Sequence, residues 1–328
     1  MHKQHVPYFD FIRGIAILMV VAIHTYANGN FENTDGIAKI LFRQLLNCAV
    51  PIFLALSGFF LGRKTFDNKY GIISFWKKQI PKVYIPCIIW SLPWSILVIS
   101  SGVSIEMQLI KIFLCAVSIY YFIALIIQYY LLLPFLQKHS KRNLVISIII
   151  STISILIITY LNYIKGLSIP LIIYAGPFVV WFVFYMLGVY YSQKNKNYSL
   201  KLSIAIILIG FFLECLETYY LNTYFTNGIG IKLSAFIYSY GTILLILHPR
   251  IQASYRQNTF NSIIVYIGKI SFGIYLTHCY VIFFIGLIKL TTTSWFLNWL
   301  IVSLITIGLI SIARTIFPKK INKYIGLS

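Results

Sequence analysis

The sequence predicts an all-α integral membrane protein, namely a ten-helix transmembrane bundle with both termini cytoplasmic. Three observations predict this fold class. The 328-residue chain is 59% hydrophobic and only 10% charged, its mean hydropathy is +0.83, and long apolar runs recur along its whole length. Soluble domains carry about 25% charged residues. No soluble segment or internal repeat is evident, so a single transmembrane domain is expected over residues 1–328.

The apolar runs place ten spans along the chain, each near the ~20 residues that a helix needs to cross a bilayer. The segment 105–118 is apolar but too short to be another span. It is interpreted as an interfacial or re-entrant piece, or as part of a longer fourth helix. The predicted spans are residues 8–27, 44–62, 82–101, 119–137, 143–162, 172–191, 200–220, 231–247, 263–288 and 296–316.

The Lys and Arg residues orient these spans. The net charge is +20, but the cations lie mainly in short loops, where they set membrane topology. A nucleic-acid partner is therefore not expected. With the N-terminus inside, most of the 27 Lys and Arg residues fall on the cytoplasmic side, among them Lys3, Lys194 and Lys196. The chain is predicted to be a multi-pass membrane protein surrounded by lipid.

The five cysteines lie scattered through apolar runs with no paired spacing. They are interpreted as small buried hydrophobic residues, and neither a disulfide nor a metal site is expected.

The first span, residues 8–27, carries an acid, a base and an imidazole through an otherwise apolar run. Asp10 and Arg13 interrupt the apolar core that a signal peptide would have, so a retained helix is predicted. Charged groups at membrane depth are unfavourable and usually mark function. This segment is therefore the first place to look for a site.

Arg13 and His24 are eleven positions apart, which at about 100° per residue is close to three full turns. Their side chains should face the same side, with Cα atoms about 16 Å apart along the helix axis. Asp10, three residues before Arg13, can pair with it. The pair is interpreted either as a structural ion pair or as support for an arginine that binds phosphate or carboxylate. His24 is either an interhelical hydrogen-bond partner or a base.

A basic cluster opens the third span. Lys77, Lys78 and Lys82 are interpreted either as determinants of topology and contacts to anionic lipid, or as a site for a phosphate-rich cytosolic ligand. In the second span, Ser57 and Gly58 are small residues of the kind that allow close helix packing.

Polar residues also occur in two later spans. In the ninth, Ser271, Tyr275 and His278 share a helix face by their spacing, and His278 lies at a depth similar to that of His24, so the two histidines could border one cavity. In the seventh, Glu214 and Glu217 need water, partners or protonation. They are interpreted either as a polar interhelical contact or as acceptor-binding carboxylates that hold sugar hydroxyls.

Four motifs occur in chain order on these spans. Together they resemble the membrane-bound acyltransferase-3 family, bacterial enzymes that move acyl groups from acyl-CoA onto cell-surface sugars. The resemblance covers nearly the whole length. The motifs are Asp10-x-x-Arg13-Gly14-Ile15-Ala16 followed by His24, the run Pro51-Ile52-Phe53-Leu54-Ala55-Leu56-Ser57-Gly58-Phe59, Tyr121-Phe122 with Gln128-Tyr129 and Pro134, and Ser271-Phe272-Gly273-Ile274-Tyr275-Leu276-Thr277-His278.

The chain departs from the family pattern at the third span. Family members often carry Arg-x-x-Arg before the proline that aligns with Pro86, whereas this chain has Gln79 and Lys82. The lysines can keep the charge but not a bidentate arginine contact. Glu214 and Glu217 match no motif of the family.

The resemblance implies acyl transfer from a thioester to an alcohol in the bacterial cytoplasmic membrane. The donor would be acyl-CoA, most often acetyl-CoA, with its phosphates held by Lys78, Lys82 and Arg13. His24 would act as general base beside Arg13 and Asp10, although a covalent acyl-histidine relay remains open. No metal is expected.

The acceptor would be a cell-surface polysaccharide or a lipid-linked sugar. The residues expected to bind this substrate are Glu214, Glu217, Ser57, Tyr275 and His278. The competing interpretation is a transporter or flippase for a lipid-linked sugar. The sequence shows no paired broken helices or repeat symmetry, which many transporters have.

Overall fold

A computed structural model describes residues 6–27, 37–167, 169–193, 198–225, 231–292 and 294–327. Every regular element in these ranges is a helix, which confirms the all-α prediction. Short 3₁₀ turns at 46–48, 118–120 and 137–139 and a π turn at 160–164 join or extend some of them. The helices are α1 (Pro7–Ala27), α2 (Ile37–Leu45), α3 (Ala49–Leu61), α4 (Lys69–Ser100), α5 (Ile105–Phe113), α6 (Tyr121–Leu136), α7 (Ser140–Thr159), α8 (Leu171–Ala175), α9 (Phe178–Gln193), α10 (Leu200–Tyr224), α11 (Leu233–Leu247), α12 (Pro249–Ser254), α13 (Thr259–Lys269), α14 (Ser271–Leu287), α15 (Trp295–Ile316) and α16 (Lys319–Tyr324).

Several helical stretches are long and apolar enough to cross a membrane. Within the described residues there are six, and a bent helix pair makes a seventh if it counts as one span. This agrees with a multi-pass membrane protein, while the count of ten spans and the side of the termini stay predictions. Lys3, Lys194 and Lys196, used in the topology assignment, lie outside the described residues.

The third predicted span is the second part of a much longer helix. Helix α4 has 32 residues, so it is about 48 Å long, against a hydrocarbon core of about 30 Å. It begins early because the Asn68 side chain accepts a hydrogen bond from the Gly71 N–H and caps the first turn. The basic cluster with Lys78 and Lys82 therefore lies inside this helix rather than at its start.

The prediction of one helix over residues 263–288 is wrong. The chain breaks at Ile270, and α13 and α14 meet at 78°. Helix α13 is held against α1 by two glycines, since a methyl group on Gly268 would lie 1.8 Å from the Asp10 carbonyl oxygen and one on Gly14 would lie 2.2 Å from that of Ile264. Helix α14 turns away to pack against α15 and α4. Apolar residues lie on both sides of the break, and Gly268, Lys269 and Ser271 at the break do not by themselves distinguish a bend from a continuous helix.

The segment 105–118 is not an extension of the fourth helix. Helix α5 ends at Phe113, and positive φ angles at Cys115 and Ser118 separate it from α6. It packs beside α4, where the Tyr84 hydroxyl donates to the Phe113 carbonyl oxygen at 3.1 Å.

Helix α1 lies in the middle of the bundle, in contact with α3, α13, α14 and α15. Beside it, α3 packs closely against α9, because Gly58 leaves no room for a methyl group beside the Tyr185 carbonyl oxygen. Helix α6 joins this core through Tyr129, which stacks on Tyr185 with ring centroids 4.2 Å apart. The five cysteines are free, and Cys48, Cys87 and Cys115 are among the buried residues.

Candidate active site

A cavity of about 290 Å³ opens along α1, and we call it the histidine cavity. Arg13 and His24 both line it, so they face the same side of α1, as their spacing predicts. Phe53 of α3 and Phe122 of α6 also line it. The break between α13 and α14 closes the third side with Gly268, Lys269, Ser271, Phe272 and Tyr275.

Arg13 is held at one end of this cavity. Its Nη1 donates to Asp10 Oδ1 at 3.1 Å, and Asp10 is buried, which confirms the predicted pair. The guanidinium carbon lies 4.7 Å from the centre of the Phe60 ring, within the range of a cation–π contact. About a third of the Arg13 side chain stays exposed. One nitrogen of the guanidinium group is thus held by Asp10, while part of the Arg13 side chain remains accessible from the cavity.

Two more cavities continue the histidine cavity. The arginine cavity, of about 260 Å³, shares Arg13, Phe53, Phe122 and Phe272 with it and is also lined by Ser57. The lysine mouth, of about 450 Å³, shares Val83, Tyr130 and Phe272 with the arginine cavity. Its cations are Lys82, Lys319 and Lys323. The three cavities form a series from a basic opening, past Arg13, to His24.

His24, on the cavity wall, is in contact with His278, with ring centroids 5.2 Å apart. His278 is fully buried, and its Nδ1 lies 2.9 Å from the Ile274 carbonyl oxygen. Because a carbonyl oxygen only accepts, Nδ1 carries the hydrogen and Nε2 keeps its lone pair in the neutral ring. The Cys279 sulfur lies 3.6 Å from Nε2. His24 lines the cavity and His278 stands behind it.

This arrangement of an arginine, a histidine pair and a basic opening around one apolar path agrees with a comparison of the sequence with known families. A model of the acyltransferase-3 family, described as an acyltransferase domain, matches residues 6–315. The chain belongs to this family. Searches of curated proteins and of solved structures returned no match. For this family member the matched region contains α1 to nearly all of α15, and hence both the histidine and arginine cavities.

Three side chains of this acyltransferase-3 protein could hold a metal ion. The ligand atoms of His24, His278 and Cys279 all lie within 4.8 Å of one another. Imidazole nitrogen and thiolate sulfur are ligands that zinc uses. A metal on His24 would, however, occupy the lone pair that a general base needs. The expectation of a metal-free site stays a prediction.

The other predicted site residues fall into two groups. Ser57 lines the arginine cavity, Tyr275 lines the histidine cavity, and Lys82 lines the lysine mouth. The Tyr275 hydroxyl donates to the Ile119 carbonyl oxygen at 2.6 Å, so it is the ring that faces the cavity. Lys78 is exposed on α4 and lines none of the three cavities.

Glu214 and Glu217 line none of these cavities. Glu214 is fully buried, where its Oε1 accepts from Asn47 Nδ2 at 2.6 Å and lies 3.6 Å from Lys232 Nζ. Glu217 accepts hydrogen bonds from the backbone N–H and the hydroxyl of Ser234. These contacts join α10 to α11 and to the turn before α3. The geometry favours the interhelical contact over acceptor binding.

Sequence reasoning missed three cations of the cavity series. Lys269 lies at the break between α13 and α14, on the wall of the histidine cavity. A lysine within an apolar span is a signal of function, but Lys269 was not among the residues singled out from the sequence. Lys319 and Lys323 were not singled out either, although their i,i+4 spacing puts them on one helix face.

Proposed function

We propose that this protein is an O-acetyltransferase of the bacterial cytoplasmic membrane. In this proposal it transfers an acetyl group from cytosolic acetyl-CoA to a hydroxyl group of a cell-surface polysaccharide or lipid-linked sugar. The observation that carries it is the series of cavities in which Lys82, Arg13 and His24 follow one another. Membership of the family supports the acyl-transfer chemistry.

The donor would enter from the basic end of the series. CoA carries its phosphates at one end and its thioester at the other, joined by a long, narrow pantetheine arm. The lysine mouth suits the phosphates, and the aromatic walls formed by Phe122 and Phe272 suit the arm. Arg13 stands midway and can donate to an anionic or carbonyl oxygen that passes it. With the predicted orientation, the mouth opens towards the cytoplasm.

The reaction would take place at His24. The imidazole takes the proton of the acceptor hydroxyl as its oxygen attacks the carbonyl carbon of the thioester. The carbon–sulfur bond then breaks, and the leaving CoA thiolate takes the proton from the imidazolium. General-base catalysis of this kind contributes about 10² to 10⁴ in rate. His278, buried against the His24 ring, would act as a positioning residue.

The acceptor would reach His24 from the side opposite to the lysine mouth. Ser271 and Tyr121, which carry hydroxyl groups, line the same cavity as His24. Such groups suit the recognition of a sugar, because each hydroxyl can both donate and accept a hydrogen bond.

A direct assay tests this function. Membranes that contain the protein would be washed and given acetyl-CoA labelled in the acetyl group, and the free CoA and the label in surface glycans would be measured. The proposal expects both to appear together. The proposal would be overturned if the label stayed on CoA although the membranes contained folded protein and the native acceptor.

The bent pair α13–α14 keeps a transporter as the second candidate, because discontinuous helices form the binding sites of many transporters. Its bend of 78° lies at the wall of the histidine cavity. A transporter would move a lipid-linked sugar across vesicles without consuming acetyl-CoA. The same assay therefore separates the two functions.

A further inference from the structure

The chain after α15 returns to the bundle and is anchored there. In this C-terminal segment, residues 318–327, the buried Asn322 side chain donates to the carbonyl oxygens of Arg314 and Phe317 at 3.1 and 3.0 Å. The Trp90 indole N–H of α4 donates to the Ile325 carbonyl oxygen at 2.9 Å. Leu327 is buried. The segment is therefore part of the packed structure.

Gly326 lets this segment enter the space between α4 and α14. Its φ angle is +76°, a conformation that side chains rarely adopt. A methyl group there would lie 2.6 Å from Leu276, 3.0 Å from Phe272 and 3.1 Å from Pro86. Because Phe272 also lines all three cavities, the segment is tied to the wall of the donor path.

The anchored segment places two lysines over the lysine mouth. Lys319 and Lys323 are one helical turn apart on α16, and they line the mouth together with Lys82 of α4. No carboxylate is among the described residues that line it, and none of the three lysines has an ion-pair partner in the described part of the chain. Like charges held this close are unfavourable without an anion between them.

We propose that the C-terminal segment completes the donor site, and that Lys319 and Lys323, together with Lys82, bind the phosphate groups at the nucleotide end of acyl-CoA. This rests on the proposed function of the cavity series. It also accounts for the departure at Gln79, because two lysines from another helix supply the positive charge that an arginine at that position would supply. The segment lies beyond residue 315, where the family match ends.

Binding of a probe that carries only the nucleotide end tests the proposal. The full-length protein would be placed in nanodiscs of zwitterionic lipid and titrated with adenosine 3′,5′-bisphosphate by calorimetry. The double variant Lys319→Ala/Lys323→Ala should bind it about tenfold or more weakly, since charge-assisted hydrogen bonds are lost. Lys320→Ala is the matched control, because Lys320 is exposed on the same helix and does not line the mouth. It should bind as the unchanged protein does.

Kinetics give a second readout. The double variant should raise KM for acetyl-CoA far more than it lowers kcat, because these contacts lie far from the thioester. With acetyl-pantetheine, which lacks the nucleotide, variant and unchanged protein should react equally. A loss with acetyl-pantetheine as well would indicate a damaged fold and contradict a specific role for the lysines.

Phosphate groups also occur on lipids, so a further arm replaces the zwitterionic lipid with phosphatidylglycerol. If the lysines hold a lipid headgroup instead, the double variant will bind the bisphosphate as the unchanged protein does, and the proposal falls. Acetyl transfer that is unaffected by the double variant overturns this inference and leaves the enzymatic function intact. Lysine-dependent bisphosphate binding without any acetyl transfer overturns the enzymatic function and leaves the phosphate site.

Discussion

The imidazole rings of His24 and His278 lie against each other, with centroids 5.2 Å apart. They come from α1 and α14, near the two ends of the chain, and only His24 borders the cavity. His24 can therefore touch a bound substrate, whereas His278 can hold only the His24 ring in place.

His24→Ala should remove acetyl transfer, with a loss of about 10² to 10⁴ or more, because the variant has no base at this position. The rate would be measured as CoA release by membranes that contain equal amounts of protein. His139→Ala is the control, since His139 is exposed in the turn between α6 and α7. Undiminished transfer by the His24 variant would remove the centre of the proposed mechanism.

His278→Ala should lower kcat more than it raises KM for acetyl-CoA, because the residue acts through His24 and does not line the cavity. His278→Asn should recover part of kcat, since its amide can still donate to the Ile274 carbonyl oxygen. The pH dependence of kcat should also shift between the two variants. If His278→Ala and His278→Asn have the same stability and the same kinetics, His278 does not position His24.

Arg13→Ala should weaken acetyl-CoA binding by about ten- to a hundredfold, which is the loss expected for charge-assisted hydrogen bonds. Arg13→Lys should recover little, because an ammonium group cannot form the planar, two-pronged contact. The effect of each substitution would be measured as the change in KM for acetyl-CoA. Arg142→Lys, at the exposed start of α7, is the control. Full recovery by lysine would show that only the charge matters at this position.

Glu214→Gln should destabilise the protein by about 3–5 kcal/mol, because it removes the buried carboxylate that lies 3.6 Å from the buried Lys232 ammonium group. The thermal midpoint in detergent would fall, while the rate of acetyl transfer per folded molecule would stay the same. Glu106→Gln, exposed at the start of α5, should change neither quantity. A normal midpoint with slow transfer to the glycan would instead support acceptor binding by Glu214.

Chelators should not inhibit acetyl transfer, because a metal on His24, His278 and Cys279 would block the lone pair that takes the proton. Elemental analysis of the purified protein should find no zinc bound in proportion to protein. A stoichiometric metal whose removal stops the reaction would replace the general-base mechanism by one in which the ion activates the hydroxyl group.

Helical periodicity was enough to predict the two ends of the histidine cavity. The eleven-residue spacing of Arg13 and His24 depends only on the geometry of one helix, and so does the pairing of Arg13 with Asp10. The shared face and the ion pair could therefore be predicted without knowing how the helices pack. Helix-face spacing also singled out Tyr275 and His278, and residue size singled out Ser57, but neither gave the contacts of these side chains.

Contacts between helices could not be read in this way. Glu214 meets Asn47, in the turn before α3, and Lys232, just before α11, and no spacing along α10 indicates such partners. The bend at Ile270 is set by how α13 lies on α1 and α14 on its own neighbours. Lys269 and Lys323 reach the cavities only through this packing, so the sequence did not single them out as site residues.

The backbone contact between Gly14 and Gly268 has a consequence for how the protein is made. Helix α1 precedes α13 and α14 in the chain, so it is synthesised well before the two helices that complete its cavity. Until α13 and α14 have been made, the histidine cavity lacks the wall that Gly268, Lys269 and Ser271 give it, so a chain stalled before α13 has no closed cavity beside Arg13.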